Sequence, residues 1–147
     1  MMSQKKDYLK ISEQIAREAH CGQERWNKDP YIVHPQRLAA LFGTPVLKSI
    51  AWLHDVIEDT SVSLRDLENF GIPGPALSAV KAITKHEDEE YIDYIKRVAK
   101  EPNARKVKIK DIEDNLNSTP PCSKQRANVY KLAKWILELV EAGELKI

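Results

Sequence analysis

At 147 residues the chain is sized for one domain with a single substantial core. Apolar residues make up 42% and charged residues 31%, a balance that excludes an intrinsically disordered or collagen-like chain. The formal net charge of +1 offers no global field for nucleic acid or an acidic membrane, and no segment approaches the roughly 18 apolar residues of a membrane span.

Strand patterns are nearly absent, while helical periodicity recurs between Gly, Pro and Asn punctuation. A first helix is expected over residues 7–20 with Leu9, Ile11, Ile15 and Ala19 facing inward, and Gly22 suits its C-terminal cap. A polar, irregular stretch then ends in His34-Pro35, and Pro35 suits the first turn of a short helix reaching Phe42. Gly43-Thr44-Pro45 breaks that helix, and the next is expected to run on through His54 and Asp55. Ser63 is the expected N-cap of a helix over 64–70, and Gly71 to Pro75 form another break before a helix over 76–83. The acidic run His86 to Glu90 precedes a helix over 91–100, whose N-terminal dipole favours such charge. A further helix over 103–116 carries Val107, Ile109 and Ile112. After Pro120-Pro121, Ser123 caps a last helix to about Ala142, with Tyr130, Leu132, Trp135, Ile136, Leu139 and Val140 as core candidates. The pattern predicts a compact all-α bundle in a single domain spanning residues 1–147.

Two smaller signals concern compartment. Cys21 and Cys122 belong to no CxxC pair and read as free thiols, and Met1 to Lys6 lack the apolar core of a signal peptide. The cytoplasm is the expected setting.

Chemistry concentrates in the run Leu53-His54-Asp55-Val56-Ile57-Glu58-Asp59-Thr60. On a continuous helix His54, Asp55, Glu58 and Asp59 would share an arc of roughly 140°, beside an apolar stripe of Val46, Ile50, Leu53 and Ile57. Three carboxylates and an imidazole this close repel one another unless a cation neutralises them. His34 at a loop-to-helix junction and Asp111 within the apolar-periodic segment Val107 to Ile112 lie elsewhere, and two histidines with two carboxylates form a donor set for a hard or borderline divalent ion. A divalent ion lowers the pKa of a coordinated water towards neutrality, which is what phosphate-ester hydrolysis needs. Glu58 and Asp59 are spaced to orient or deprotonate that water.

The order His…His-Asp…Asp resembles the HD-domain metal-dependent phosphohydrolases. Ala19-His20-Cys21-Gly22-Gln23-Glu24-Arg25 followed by Pro30-Tyr31-Ile32-Val33-His34-Pro35 resembles the AHxGQxR…PYxxHP stretch of the RelA/SpoT hydrolase domain. Leu53 to Thr60 is similar to that domain's LHDxxEDT, Thr84-Lys85 to its TK, and Val107-Lys108-Ile109-Lys110-Asp111 to Asn115 to its VKxAD…N. By this resemblance the chain is an HD-type bundle similar to the small stand-alone bacterial relatives, among which membership does not fix the substrate. The resemblance implies His34, His54, Asp55 and Asp111 as metal ligands, manganese as the ion, and Glu58 and Asp59 as the catalytic pair. It implies Arg25, Lys28, Lys85 and Asn115 as substrate contacts, with Arg126 and Tyr130 on the last helix completing them.

The implied activity is hydrolysis of a phosphorylated nucleotide, first of all a guanosine 3′-diphosphate alarmone with release of pyrophosphate. A nucleotidase or phosphodiesterase on the same site, or a nucleotide-binding sensor without turnover, are the alternatives. No nucleic-acid or membrane partner is expected, and the sequence leaves room for an oligomer. One departure stands out: where the family carries a basic residue and then a His or aromatic, this chain has Ile112-Glu113-Asp114-Asn115. The extra acids are expected to oppose a multi-phosphate substrate. His20 is expected to pack near the site without ligating, and Trp26, Trp52 and Trp135 to anchor core or loop.

Overall fold

A computed structural model of the chain describes residues 4–147, so residues 1–3, part of the stretch considered above for a targeting signal, lie outside it. Among the described residues the elements are α1 (Gln4–Ala19), α2 (Val33–Ala40), α3 (Pro45–Leu53), α4 (Val56–Asp59), α5 (Leu64–Asn69), α6 (Gly74–Ile83), α7 (Tyr91–Lys100), α8 (Pro102–Leu116) and α9 (Lys124–Glu141). No strand is present among the described residues; one isolated bridge, Glu24 to Pro30, closes the loop between α1 and α2. None of the helices is long and apolar enough to cross a membrane.

Local chemistry accounts for the helix starts. Thr44 accepts the Leu47 N–H with Pro45 at the first helical position, and Glu101 accepts the Ala104 N–H with Pro102 in the same place. Ser63 and Asp66 form a reciprocal capping box at α5, and Ser123 accepts the Arg126 N–H at α9. Gly22, at φ +80°, takes the left-handed conformation that ends the α1 segment.

The core forms around α3, which packs on α1, α2, α6 and α8 and buries Ser49, Ile50, Ala51, Trp52 and Leu53. Ser49 and Ser12 satisfy each other through hydroxyls 2.6 Å apart in the α1–α3 contact. Val80 and Ile83 of α6, Ile95 and Val98 of α7 and Val107 and Ile112 of α8 fill the remaining interior. Arg97 on α7 satisfies the carbonyls of Lys81, Ala82 and Thr84, which α6 leaves unpaired at its C-terminal end.

Two expectations need correction. The helix expected to run through His54 stops at Leu53; Asp55 sits at φ −111°, ψ 0°, and α4 restarts from it. The cause is geometric, because adjacent residues of a continuous helix diverge by about 100° and cannot aim at one point. The second correction concerns α9, which buries Ala133 and Leu137 rather than Leu132 and Trp135. Tyr130, Ile136 and Val140 pack partly against the core, while Leu132 and Trp135 lie on the flank away from α7 and α8 and are exposed.

Candidate metal centre

His34 sits in the first turn of α2, His54 and Asp55 in the break between α3 and α4, and Asp111 in the buried middle of α8. One donor atom from each of the four lies within 4.8 Å of the others. His34 Nε2 is 2.8 Å from Asp111 Oδ1, and His54 Nε2 is 2.9 Å from Asp55 Oδ2 and 3.4 Å from Asp111 Oδ1. Three of the four residues are almost wholly buried, with Asp55 reaching the surface of a cavity.

The hydrogen bonds behind the rings orient both imidazoles. His54 Nδ1 lies 2.7 Å from the Ala51 carbonyl and His34 Nδ1 lies 2.6 Å from an Asp114 carboxylate oxygen. Both partners only accept, so each Nδ1 carries a proton and each Nε2 is turned to the cluster, where it donates to a carboxylate when protonated and offers a lone pair to a metal when not. Those two Nε2 atoms are 3.2 Å apart and face the oxygens of Asp55 and Asp111. Two ring nitrogens and two carboxylates converge on one point. Tyr31 donates to Asp55 Oδ2, Asn115 Nδ2 lies 3.4 Å from Asp111 Oδ1, and the Lys108 ammonium holds the far oxygen of Asp111 at 2.8 Å, which leaves two anions and two imidazoles facing one another. A divalent cation satisfies that arrangement, so the residues fit a metal.

The electrostatics express the same demand. Burial would lower the His54 pKa, but Asp55 and Asp111 outweigh it and hold the ring well above its usual value. Burial would raise Asp55 and Asp111, yet His54 holds the first far below the carboxylate range and Lys108 the second. Glu58 is pushed up by burial, although its Oε1 accepts the Lys85 backbone N–H at 2.9 Å. Asp59 is raised to about 6 by burial and by the charges of Asp55 and Glu58.

Beside the cluster opens a cavity of about 500 Å³ lined by Asp55, Glu58, Lys85, Tyr91, Lys108, Arg126 and Tyr130. Lys85, Arg126 and Tyr130 of the expected substrate contacts are therefore brought together. Arg25, Lys28 and Asn115 are not among its lining residues. Arg25 turns inward, with its side chain 1% exposed, donates to Asn115 Oδ1 at 2.8 Å and lies over the Trp26 ring. Lys28 is exposed at φ +74° on the rim of a separate hollow shared with His20, Gln23 and Tyr31. His20 is buried against Tyr31 and bonded to Gln23, outside the cluster.

Two residues of the site carried no assigned role in the sequence, and a third carried a different one. Tyr31 donates its hydroxyl to Asp55 Oδ2 from inside the PYxxHP block, and Lys108 neutralises Asp111 from inside the VK pair. Asp114, expected to oppose phosphates, points instead at His34 and is held by both Arg37 nitrogens, at 2.9 and 3.0 Å. Its charge is spent on orienting a ligand, so the expected conflict with a multi-phosphate substrate does not arise from it.

An all-α fold with His…His-Asp…Asp gathered where α2, α8 and the α3–α4 break converge defines an HD-type domain. No family model matches the chain. It is 35% identical over 105 residues to the bifunctional (p)ppGpp synthase/hydrolase SpoT of Escherichia coli K12, covering 68% of this chain and 14% of that one. It is 33% identical over 111 residues to a guanosine-3′,5′-bis(diphosphate) 3′-pyrophosphohydrolase of Vibrio cholerae, covering 72% and 15%. The chain thus spans about one seventh of the length of these relatives. A solved structure of a metazoan SpoT orthologue that hydrolyses ppGpp superposes with a TM-score of 0.72 over 94% of this chain and 97% of that one, at 22% identity, a likeness of fold. The chain belongs to the RelA/SpoT family as an HD-type hydrolase domain.

Proposed function

We propose that the chain is a metal-dependent phosphohydrolase of phosphorylated nucleotides, acting first on a guanosine 3′-diphosphate alarmone and releasing pyrophosphate. The observation that carries this reading is the four-donor cluster opening onto a cavity of nucleotide size that holds both carboxylate and cationic groups. The names borne by the Escherichia coli and Vibrio cholerae relatives point to the same substrate. We assign the ion to His34, His54, Asp55 and Asp111, and take it to be manganese. When bound, it would supply Lewis acidity to the phosphoryl group and a water of lowered pKa.

The chain's own residues do the rest. Tyr31 holds Asp55 in its ligating pose, and Asp114 and the Ala51 carbonyl fix the tautomers of the two histidines. Glu58, which lines the cavity, is raised from its ordinary value and is suited to accept a proton from the attacking water and return it to the leaving group. Asp59, raised to about 6 and not among the lining residues, is proposed as its partner. Lys85 and Arg126 bind phosphate oxygens, and the aromatic wall of Tyr91 and Tyr130 takes the nucleoside. The cytoplasm is the proposed setting, where nucleotide pools lie and the unpaired Cys21 and Cys122 stay reduced.

One observation favours a second reading. Arg25 donates to Asn115 and neither lines the cavity, which leaves fewer groups for a tetraphosphorylated nucleotide and suits a nucleotidase or phosphodiesterase. Product analysis separates the two. Purified protein with manganese is incubated with guanosine tetraphosphate and a panel of nucleoside mono- and triphosphates, with Asp55→Ala as control. Pyrophosphate release that vanishes in the variant establishes the alarmone reading, and orthophosphate from a monophosphate establishes the second. Metal and nucleotide binding without turnover on any substrate leaves the sensor.

A further inference from the structure

The exposed flank of α9 is patterned as an interface. Leu132, Trp135 and Leu139 recur three and four residues apart, with Val129 and the half-buried Ile136 on one side, so an apolar seam runs along the middle of the helix. Val129, Leu132 and Trp135 are 45%, 55% and 59% exposed, although the same helix seats Ala133 and Leu137 fully in the core. Isolated exposed apolar residues need no explanation, but a seam at heptad spacing on one helix does.

Charge selects the occupant. The N-terminal half of α9 is basic, with Lys124, Arg126 and Lys131, and Lys134 follows just past its middle, while the C-terminal end is acidic, with Glu138, Glu141 and Glu144 just beyond. Such a helix complements itself only when reversed, where the helix dipoles also agree. Lys131 and Glu138 are seven residues apart and share one edge of the seam, and in an antiparallel pair residues on like edges meet. A two-fold axis beside Trp135 sets Trp135 against its own copy, Leu132 against Leu139, and Lys131 against Glu138. These three pairings agree in register to within one residue. Lys131 makes no ion pair among the described residues, whereas Lys134 is already held by Glu138 at 2.8 Å.

We propose that the chain forms a two-fold homodimer through antiparallel packing of α9 on the α9 of a second copy. A contact of 18-residue helices about 27 Å long is at the small end of specific interfaces, so the dimer is reversible and depends on concentration. The pairing rests on Leu132, Trp135 and Leu139, none of which lines the cavity, while the neighbouring Val129 does line it; the inference is therefore tested at the first three, apart from the proposed chemistry.

The test is sedimentation equilibrium of the full chain from about 1 μM to about 1 mM, with circular dichroism confirming the helix content of each variant. Trp135→Glu, at a site already exposed, should weaken the dimer about 100-fold, and Leu132→Glu should act the same way. Lys131→Glu should weaken it about 5-fold or more, and the double exchange Lys131→Glu with Glu138→Lys should restore it. A monomer throughout the range, or a dimer indifferent to Trp135→Glu and Leu132→Glu, overturns the interface. A double exchange no tighter than Lys131→Glu alone overturns the antiparallel register.

Discussion

His34 and Asp114 are joined by a 2.6 Å hydrogen bond from Nδ1 to a carboxylate oxygen, and Arg37 clamps the same carboxylate from behind. A charged acceptor at Nδ1 makes the ring a stronger donor at Nε2 and removes its freedom to take the other tautomer. Asp114→Ala should therefore weaken manganese binding about 10- to 100-fold in calorimetric titration of metal-stripped protein. Asp114→Asn, whose amide oxygen still accepts from Nδ1, should fall between that variant and the wild type. Equal affinity in all three would show that α2 alone fixes the ring.

Glu58 touches the cavity but none of the four ligands by hydrogen bond, its Oε1 being engaged by the Lys85 backbone N–H. Glu58→Gln keeps the size and the acceptor while removing the base. Turnover on the best substrate should drop by about 100-fold or more, with the manganese content by elemental analysis unchanged. Loss of metal along with activity would place Glu58 among the ligands instead.

The sequence was most informative where chemistry is local. Ser63 and Ser123 cap the helices that follow them because capping needs only a hydroxyl and the next turn. The four metal-ligand candidates were legible because acids and histidines inside apolar periodicity demand compensation, whatever the tertiary fold. Periodicity failed at His54-Asp55, since an apolar pattern in register on both sides conceals a break whose reason is convergence on a point. It failed again on α9, where two apolar stripes share one helix and only packing decides which faces inward. Arg25 escaped for a similar reason: its partner Asn115 is 90 residues away, and no spacing rule links them.

Glu89 gives the fold a pH-dependent tie. Hydrogen bonds from Arg97 hold its carboxylate at about 2, below the ordinary 4.5, and the same guanidinium closes the end of α6. A carboxylate depressed on folding stabilises fully above its unfolded value and loses that contribution as pH falls towards its folded one. Wild type should melt above Glu89→Gln near neutral pH, and the difference should shrink as pH drops from about 4.5 to about 2. A difference constant over that window would mean that Arg97 acts through the α6 carbonyls alone.

Lys108 is the last electrostatic element, with its ammonium 2.8 Å from Asp111 Oδ2, 5.2 Å from the centre of the Tyr94 ring, and a side chain only 12% exposed. Among the described residues it is the one lysine or arginine paired with a carboxylate of the proposed metal site, so it and the metal would neutralise the same charge. Lys108→Met should destabilise the metal-free protein by about 3 kcal/mol, because a buried carboxylate loses its partner. Manganese should recover part of that loss, so the melting-temperature rise on adding metal is expected to be larger in the variant than in wild type. A smaller rise would reverse the argument: Lys108 would then serve to hold Asp111 in its ligating pose, and its charge would be secondary to its position.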